Sequence, residues 1–197
     1  AVCGRAFADL GATVRCWGTA HSTPLAAYLD DGKVEAADDL EGADIIICEG
    51  RPAALRAAGT EPLGLRSRYA EAVIIAISPF GLTGPNSDLP ATDLTLFCAS
   101  GIARMLTGQV DDTREPPVRP VGEQSAFIGG LAGACAGMHG VLSGVKGALV
   151  DVSIQEALAT LAITEMTRAS LTGRVWSRKK IADGNGATVC ILPAQDG

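Results

Sequence analysis

Val73-Ile74-Ile75-Ala76-Ile77 is an unbroken apolar run, almost wholly β-branched, that stops at Ser78-Pro79. With no polar residue alternating through it, such a strand has to be covered on both faces, as in a parallel α/β sheet flanked by helices. The residues that follow, Phe80-Gly81-Leu82-Thr83-Gly84-Pro85, carry two glycines and a second proline. Proline fixes φ and removes a donor, and glycine lets backbone approach a ligand closely, so the strand delivers a rigid loop. A loop at the carboxyl end of an α/β strand is the usual ligand edge, which makes Ser78, Phe80 and Gly81 candidate binding residues; an ordinary strand-end turn has the same local signals.

The other segments alternate in type. Residues 3–12 read as a helix with Phe7 and Leu10 on one face and Gly11 as its stop, and residues 13–17 as a short strand. A helix is expected over 23–29, a second buried strand over 43–48, and a helix over 53–58 after Glu49-Gly50-Arg51-Pro52. Residues 92–106 read as a helix capped by Thr92, with Gly101 near its middle. Residues 109–121 contain Pro116, Pro117 and Pro120 and read as a connecting loop. Residues 125–142 are rich in Ala and Gly and predict a helix that lets another backbone approach closely. A strand over 149–152 precedes a single amphipathic helix over 154–171, with Ile154, Leu158, Leu161 and Met166 on its buried side. This alternation predicts an α/β fold, a Rossmann-like, doubly wound and mainly parallel sheet with flanking helices.

Composition narrows the classes. Hydrophobic residues make up 47% of the 197, enough for a core, while 24 glycines and 4% aromatics favour closely packed small-residue helices. A net charge of -6 gives no general attraction to nucleic acid or to an anionic membrane surface. Cys3, Cys16, Cys48, Cys98, Cys135 and Cys190 form no C-x-x-C pair and no zinc spacing, so they read as reduced, buried thiols, and no metal site is expected. The apolar runs are broken before they reach spanning length and no signal peptide is read, so a cytoplasmic protein is expected.

Ser78-Pro79-Phe80-Gly81-x-x-Gly84-Pro85, Pro90-Ala91-Thr92-Asp93-Leu94, Ser100-Gly101, Pro116-Pro117-Val118-Arg119 and Gly147-x-x-Val150-Asp151-Val152-Ser153-x-x-Glu156-Ala157 occur in an order and spacing that resembles the class III CoA-transferases. That family comprises the formyl-CoA and carnitine-CoA transferases and α-methylacyl-CoA racemase. The resemblance is densest from Ile74 to Ala157, and several co-linear motifs are far more specific than one Gly-rich loop. It implies that residues 1–197 are the large Rossmann domain, truncated at both ends: the family's opening strand is missing, and residues 172–197 are a linker toward an absent smaller domain. It also implies coenzyme A or acyl-CoA as ligand or substrate, with no covalently bound cofactor. The family's Arg-Pro at the second strand end matches Arg51-Pro52, where a guanidinium could stack on adenine or fork onto phosphate; a solvated Arg at a helix start is the alternative. Cys48, Glu49 and Gly50 depart from the family pattern, and its Asn-Arg-Gly-Lys-type segment has no counterpart.

Class III CoA-transferases use an aspartate that attacks the acyl-CoA and carries first the acyl group, then CoA. The family pattern Asp-Tyr-x-x-Gly, aligned on Phe127 and Gly130, puts that nucleophile at Ala126, which cannot do this chemistry. The nearest carboxylate, Glu123, is either a substitute nucleophile or a solvated or helix-capping acid. Ser125 lacks a nearby His and Asp, and His139 reads as a packed core or interface residue. The racemase His position is Thr92, and Asp93 reads as capping or bracing the helix. Three readings follow: a non-catalytic or partner-dependent subunit acting on acyl-CoA and carboxylates, an active transferase using Glu123, and a CoA-binding or structural scaffold. The resemblance further implies an interlocked homodimer, or a heteromer with an active paralogue.

Overall fold

The computed structural model describes residues 1–17, 23–35, 40–103, 110, 112–116 and 120–173. In chain order these form α1 (Val2–Asp9), β1 (Arg15–Cys16), α2 (Pro24–Asp30), β2 (Val34–Glu35), β3 (Ile45–Glu49), α3 (Pro52–Ala57), α4 (Pro62–Arg68), β4 (Val73–Ser78) and α5 (Asp93–Ala99). They continue with α6 (Gln124–Leu142), β5 (Leu149–Ser153), α7 (Ile154–Ala159), a 3-10 turn (Thr160–Ala162) and α8 (Ile163–Thr172).

The apolar run becomes the central strand. β4 lies between β3 and β5, parallel to both, with Glu49 opposite Ile77 and Ser78 opposite Ser153. All six residues of β4 are buried. Val73, Ile75 and Ile77 join a core with Phe7, Leu96 and Leu158, while Ile74 faces a second core with Leu55 and Leu65. Helices therefore cover both faces, as the unalternating run requires. β1 and β2 pair parallel in a separate two-stranded sheet.

The small-residue helix is the main cover. An added Cβ at Gly130 would lie 2.5 Å from Val2 Cβ and 3.0 Å from the Cys3 backbone nitrogen; one at Gly133 would lie 2.6 Å from Ile77 Cδ1. α1 and β4 thus approach α6 to distances that any side chain would prevent. By length and composition α6 is apolar enough to cross a membrane, contrary to the expectation that no run reaches that length, but its buried face lies against α1 and the sheet.

Several expectations need correction. Leu10 is 82% exposed because α1 ends at Asp9 and Leu10 is its cap, with Gly11 at φ +91° turning the chain away. Of the helix expected over 92–106, residues 104–106 lie outside the described residues, and the described part stops at Ala99: Ser100 Oγ donates to the Phe97 carbonyl, and Gly101 is left-handed at φ +82°. Thr92 does cap it, with Thr95 closing a capping box. The helix expected over 154–171 is two helices, because the 3-10 turn shifts the phase between them. Ile154 and Leu158 are buried, but Leu161 and Met166 are each 53% exposed, and α8 buries none of its residues. Cys3 and Cys48 are buried as expected, whereas Cys98 and Cys135 are exposed. Cys190, Arg119 and the 174–197 segment lie outside the described residues.

The glycine contacts set a stability test. Gly130→Ala should destabilise by about 1–3 kcal/mol through overpacking, exceeding a helix-propensity gain of about 1 kcal/mol. Gly64→Ala in α4, where nothing lies within 4 Å of an added Cβ, should be neutral or slightly stabilising. Urea unfolding of both variants checks the difference; equal effects would show that the α1–α6 contact is not tight.

Candidate functional site

Since β3, β4 and β5 are parallel, their carboxyl ends share one edge. The loops there are tied together: Gly50 N–H donates to the Ile77 carbonyl at 3.0 Å, and Gln155 N–H to the Pro79 carbonyl at 3.0 Å. α6 runs antiparallel to the strands, its Gly140 facing Val73, Gly133 facing Ile77 and Gly129 facing Ile154. Its first turn, with Ser125 and Ala126, therefore lies at the same edge. The residues singled out in the sequence (Arg51 and Pro52, Ser78 to Gly81, Glu123 and Ala126) are thus brought to one side of the sheet.

Arg51 is the N-cap of α3 but gives no side-chain cap, and Pro52 occupies the first turn, buried. The cap comes from far along the chain. Asp88 Oδ1 accepts from Ala53 N–H at 2.6 Å and Oδ2 from Arg56 Nη2 at 3.0 Å, while Arg51 Nη1 donates to the Asp88 carbonyl at 2.9 Å. The Ala53 N–H, aided by Arg56, holds the Asp88 carboxyl below its ordinary range against a smaller opposing cost of desolvation. Nothing in the sequence pattern marked Asp88.

Gly81 adopts φ +85°, a conformation natural to glycine, and the next amide, Leu82 N–H, donates to both oxygens of Asp151 at 3.2 and 3.1 Å. The Asp in the quoted Val150-Asp151-Val152-Ser153 motif therefore pins the loop after β4 from the neighbouring strand. Phe80 packs half-buried against the main core. Ser78 is fully buried, and its hydroxyl has no hydrogen-bond partner among the described residues.

Asp93 does more than begin α5. It is 7% exposed, and its Oδ1 accepts from Ser125 N–H at 2.8 Å, satisfying one free donor of the α6 N-terminus. Its Oδ2 is buried with no partner among the described residues, so the carboxylate that accepts from Ser125, the neighbour of Ala126 in the chain, keeps one unsatisfied oxygen. Glu123 is exposed at the N-cap of α6 and makes no side-chain cap hydrogen bond. His139 is exposed at the far end of α6, not packed in the core of this chain. Burial pushes the Cys3 and Cys48 thiols up to about 11, unfavourable for a thiolate nucleophile. Among the described residues no group of His, Cys, Asp and Glu could hold a metal ion. A cavity lined by Ala1, Thr23, Leu25, Ala26, Leu29 and Asp30 includes none of these edge residues.

Residues 30–197 match the family model of CoA-transferase family III. The chain belongs to that family. It is 28% identical over 177 residues to a CaiB/baiF CoA-transferase family protein of Caenorhabditis elegans, covering 81% of this chain and 51% of that protein. It is 28% identical over 157 residues to the succinyl-CoA--D-citramalate CoA-transferase of Chloroflexus aurantiacus, covering 78% of this chain and 38% of that enzyme. Among solved structures, a CaiB/BaiF family protein from Brucella suis superposes with TM-score 0.72 at 18% identity, over 90% of this chain and 55% of the other. A Mycobacterium tuberculosis protein superposes with TM-score 0.69 at 23% identity, over 87% of this chain and 54% of the other. The family III chain described here spans about half the length of the C. elegans relative and less of the Chloroflexus enzyme. The likeness in fold agrees with the Rossmann-like α/β architecture.

Asp93→Ala should destabilise the domain by about 1–3 kcal/mol, the cost of a lost charge-assisted bond at a buried helix start, while Asp93→Asn, which keeps an acceptor, recovers part of it. Denaturant midpoints decide; an Asp93→Ala protein as stable as the parent would mean that the brace carries no stability. At about pH 8, iodoacetamide should label Cys98 and Cys135 well ahead of Cys3 and Cys48, read by peptide mass spectrometry.

Proposed function

We propose that this chain is the acyl-CoA-holding Rossmann portion of a class III CoA-transferase and lacks a nucleophile of its own. One observation carries the reading: Arg51, the loop from Ser78 to Gly81 and the first turn of α6 lie at a single sheet edge, while the position that the resemblance assigns to the nucleophile holds Ala126. Arg51 would meet the nucleotide end and Phe80 the chain that leads to the thioester, both being half-exposed, while the buried Pro52, Ser78 and Gly81 shape the two loops from behind. Turnover then needs a carboxylate from a partner, either a second copy or an active paralogue. The exposed apolar residues Leu131, Met138, Val141 and Leu142 on α6, with Ile163, Met166 and Leu171 on α8, are the surface such an interlocked assembly would cover. The free cysteines among the described residues suit a reducing, cytoplasmic setting.

A second reading rests on Glu123, whose carboxylate at the α6 N-cap is exposed and makes no capping bond. It would attack the thioester carbonyl, forming a mixed anhydride and releasing CoA thiolate. The thiolate would then attack the glutamyl carbonyl, giving a glutamyl-CoA thioester and freeing the acyl group as carboxylate. An acceptor carboxylate would take the CoA through a second anhydride.

The test measures CoA binding and CoA transfer from a panel of acyl-CoA donors to carboxylate acceptors, by the chain alone, by Glu123→Ala, and by the chain mixed with a family member encoded beside it. The expected result is saturable CoA binding, no transfer by the chain alone, and transfer in the mixture that ignores Glu123→Ala. Transfer by the chain alone that vanishes in Glu123→Ala would make Glu123 the nucleophile. No CoA binding in any form would leave a scaffold.

A further inference from the structure

We propose that Asp88 is a positioning residue for Arg51, so that a carboxylate 37 residues along the chain sets the nucleotide-end contact of the CoA site. This rests on the reading that Arg51 meets CoA. Locally, Arg51 has little to hold it: it caps a six-residue helix without a side-chain cap bond, and Gly50 before it adopts φ +148°. Asp88 supplies the missing restraint in two steps. Its carboxylate is fastened to α3 by Ala53 N–H at 2.6 Å and Arg56 at 3.0 Å, and its carbonyl, held in place by that anchor, receives Arg51 Nη1 at 2.9 Å. A guanidinium has about five N–H donors, and this bond uses one, so the fork is aimed while its remaining donors stay available to a ligand. Orienting a long side chain before binding removes part of the ordering cost that the ligand would otherwise meet.

The same anchor fixes the segment that follows β4. Residues 79–92 are tied to β5 by Asp151 through Leu82 N–H and to α3 by Asp88, so the two candidate ligand loops are linked through this segment. Asp88 is exposed, and its substitution leaves both cores untouched.

The experiment is a double-mutant cycle on CoA affinity, measured by calorimetry with the full chain: parent, Arg51→Ala, Asp88→Ala and the double variant, with Asp88→Asn added. Asp88→Ala should weaken CoA roughly tenfold in the parent and have little further effect in Arg51→Ala, since the two act through one contact. Asp88→Asn, which keeps an acceptor for Ala53 N–H, should recover part of the affinity. Hydrogen exchange without ligand should show faster exchange at Ala53 and across 79–92 in Asp88→Ala, with the cores unchanged. Parent-like affinity or exchange in Asp88→Ala, or additive losses in the cycle, would overturn the proposal. A parent chain that binds no CoA fails differently, removing the ligand reading along with the role of Asp88 in it.

Discussion

The close approach of α6 to α1 and β4 is the contact on which the rest depends. Gly130 and Gly133 leave no room for a side chain, so the helix backbone itself forms the roof of the main core. That proximity brings Val73, Ile75 and Ile77 into one apolar cluster with Phe7 and Leu158, and it sets the direction in which α6 delivers its first turn. Were the helix a side chain's width further away, Ser125 could not sit where Asp93 reaches its N–H.

Three carboxylates then do what strands and helices cannot. Asp93 joins α5 to the start of α6, Asp151 holds the loop after β4 against β5, and Asp88 joins the far end of that loop to α3. Each accepts from a backbone N–H of another element, a bond strengthened by its charge. The edge is thus stiffened by long-range acid-to-amide ties, to which the exposed Arg56–Asp88 ion pair adds little.

Much of this was legible. The unalternating run at 73–77 required cover on both faces, and the Ala- and Gly-rich run at 125–142 required a close neighbour; both follow from composition acting over many residues. The cap at Thr92 was visible because capping is local. The two-residue β2 is too short to show a period, and α4, which begins at Pro62 and contains Gly64, has weak propensity and was not marked. The division of 154–172 into two helices was invisible because a 3-10 turn preserves apolar composition while rotating the phase, which moved Leu161 and Met166 out of the core. Asp88 escaped because it caps a helix that lies 35 residues earlier in the chain.

The pairing order of the sheet has a consequence for how the chain reaches this structure. β3 and β4 are near neighbours in sequence, whereas the other side of β4 is filled only by β5, after the whole of α5 and α6 has been made. Loop closure over that interval precedes any reward from pairing, which makes the β4–β5 contact a costly one to form early. Until β5 docks, β4 presents a bare edge of valine and isoleucine, the kind of unpaired strand that favours aggregation during synthesis.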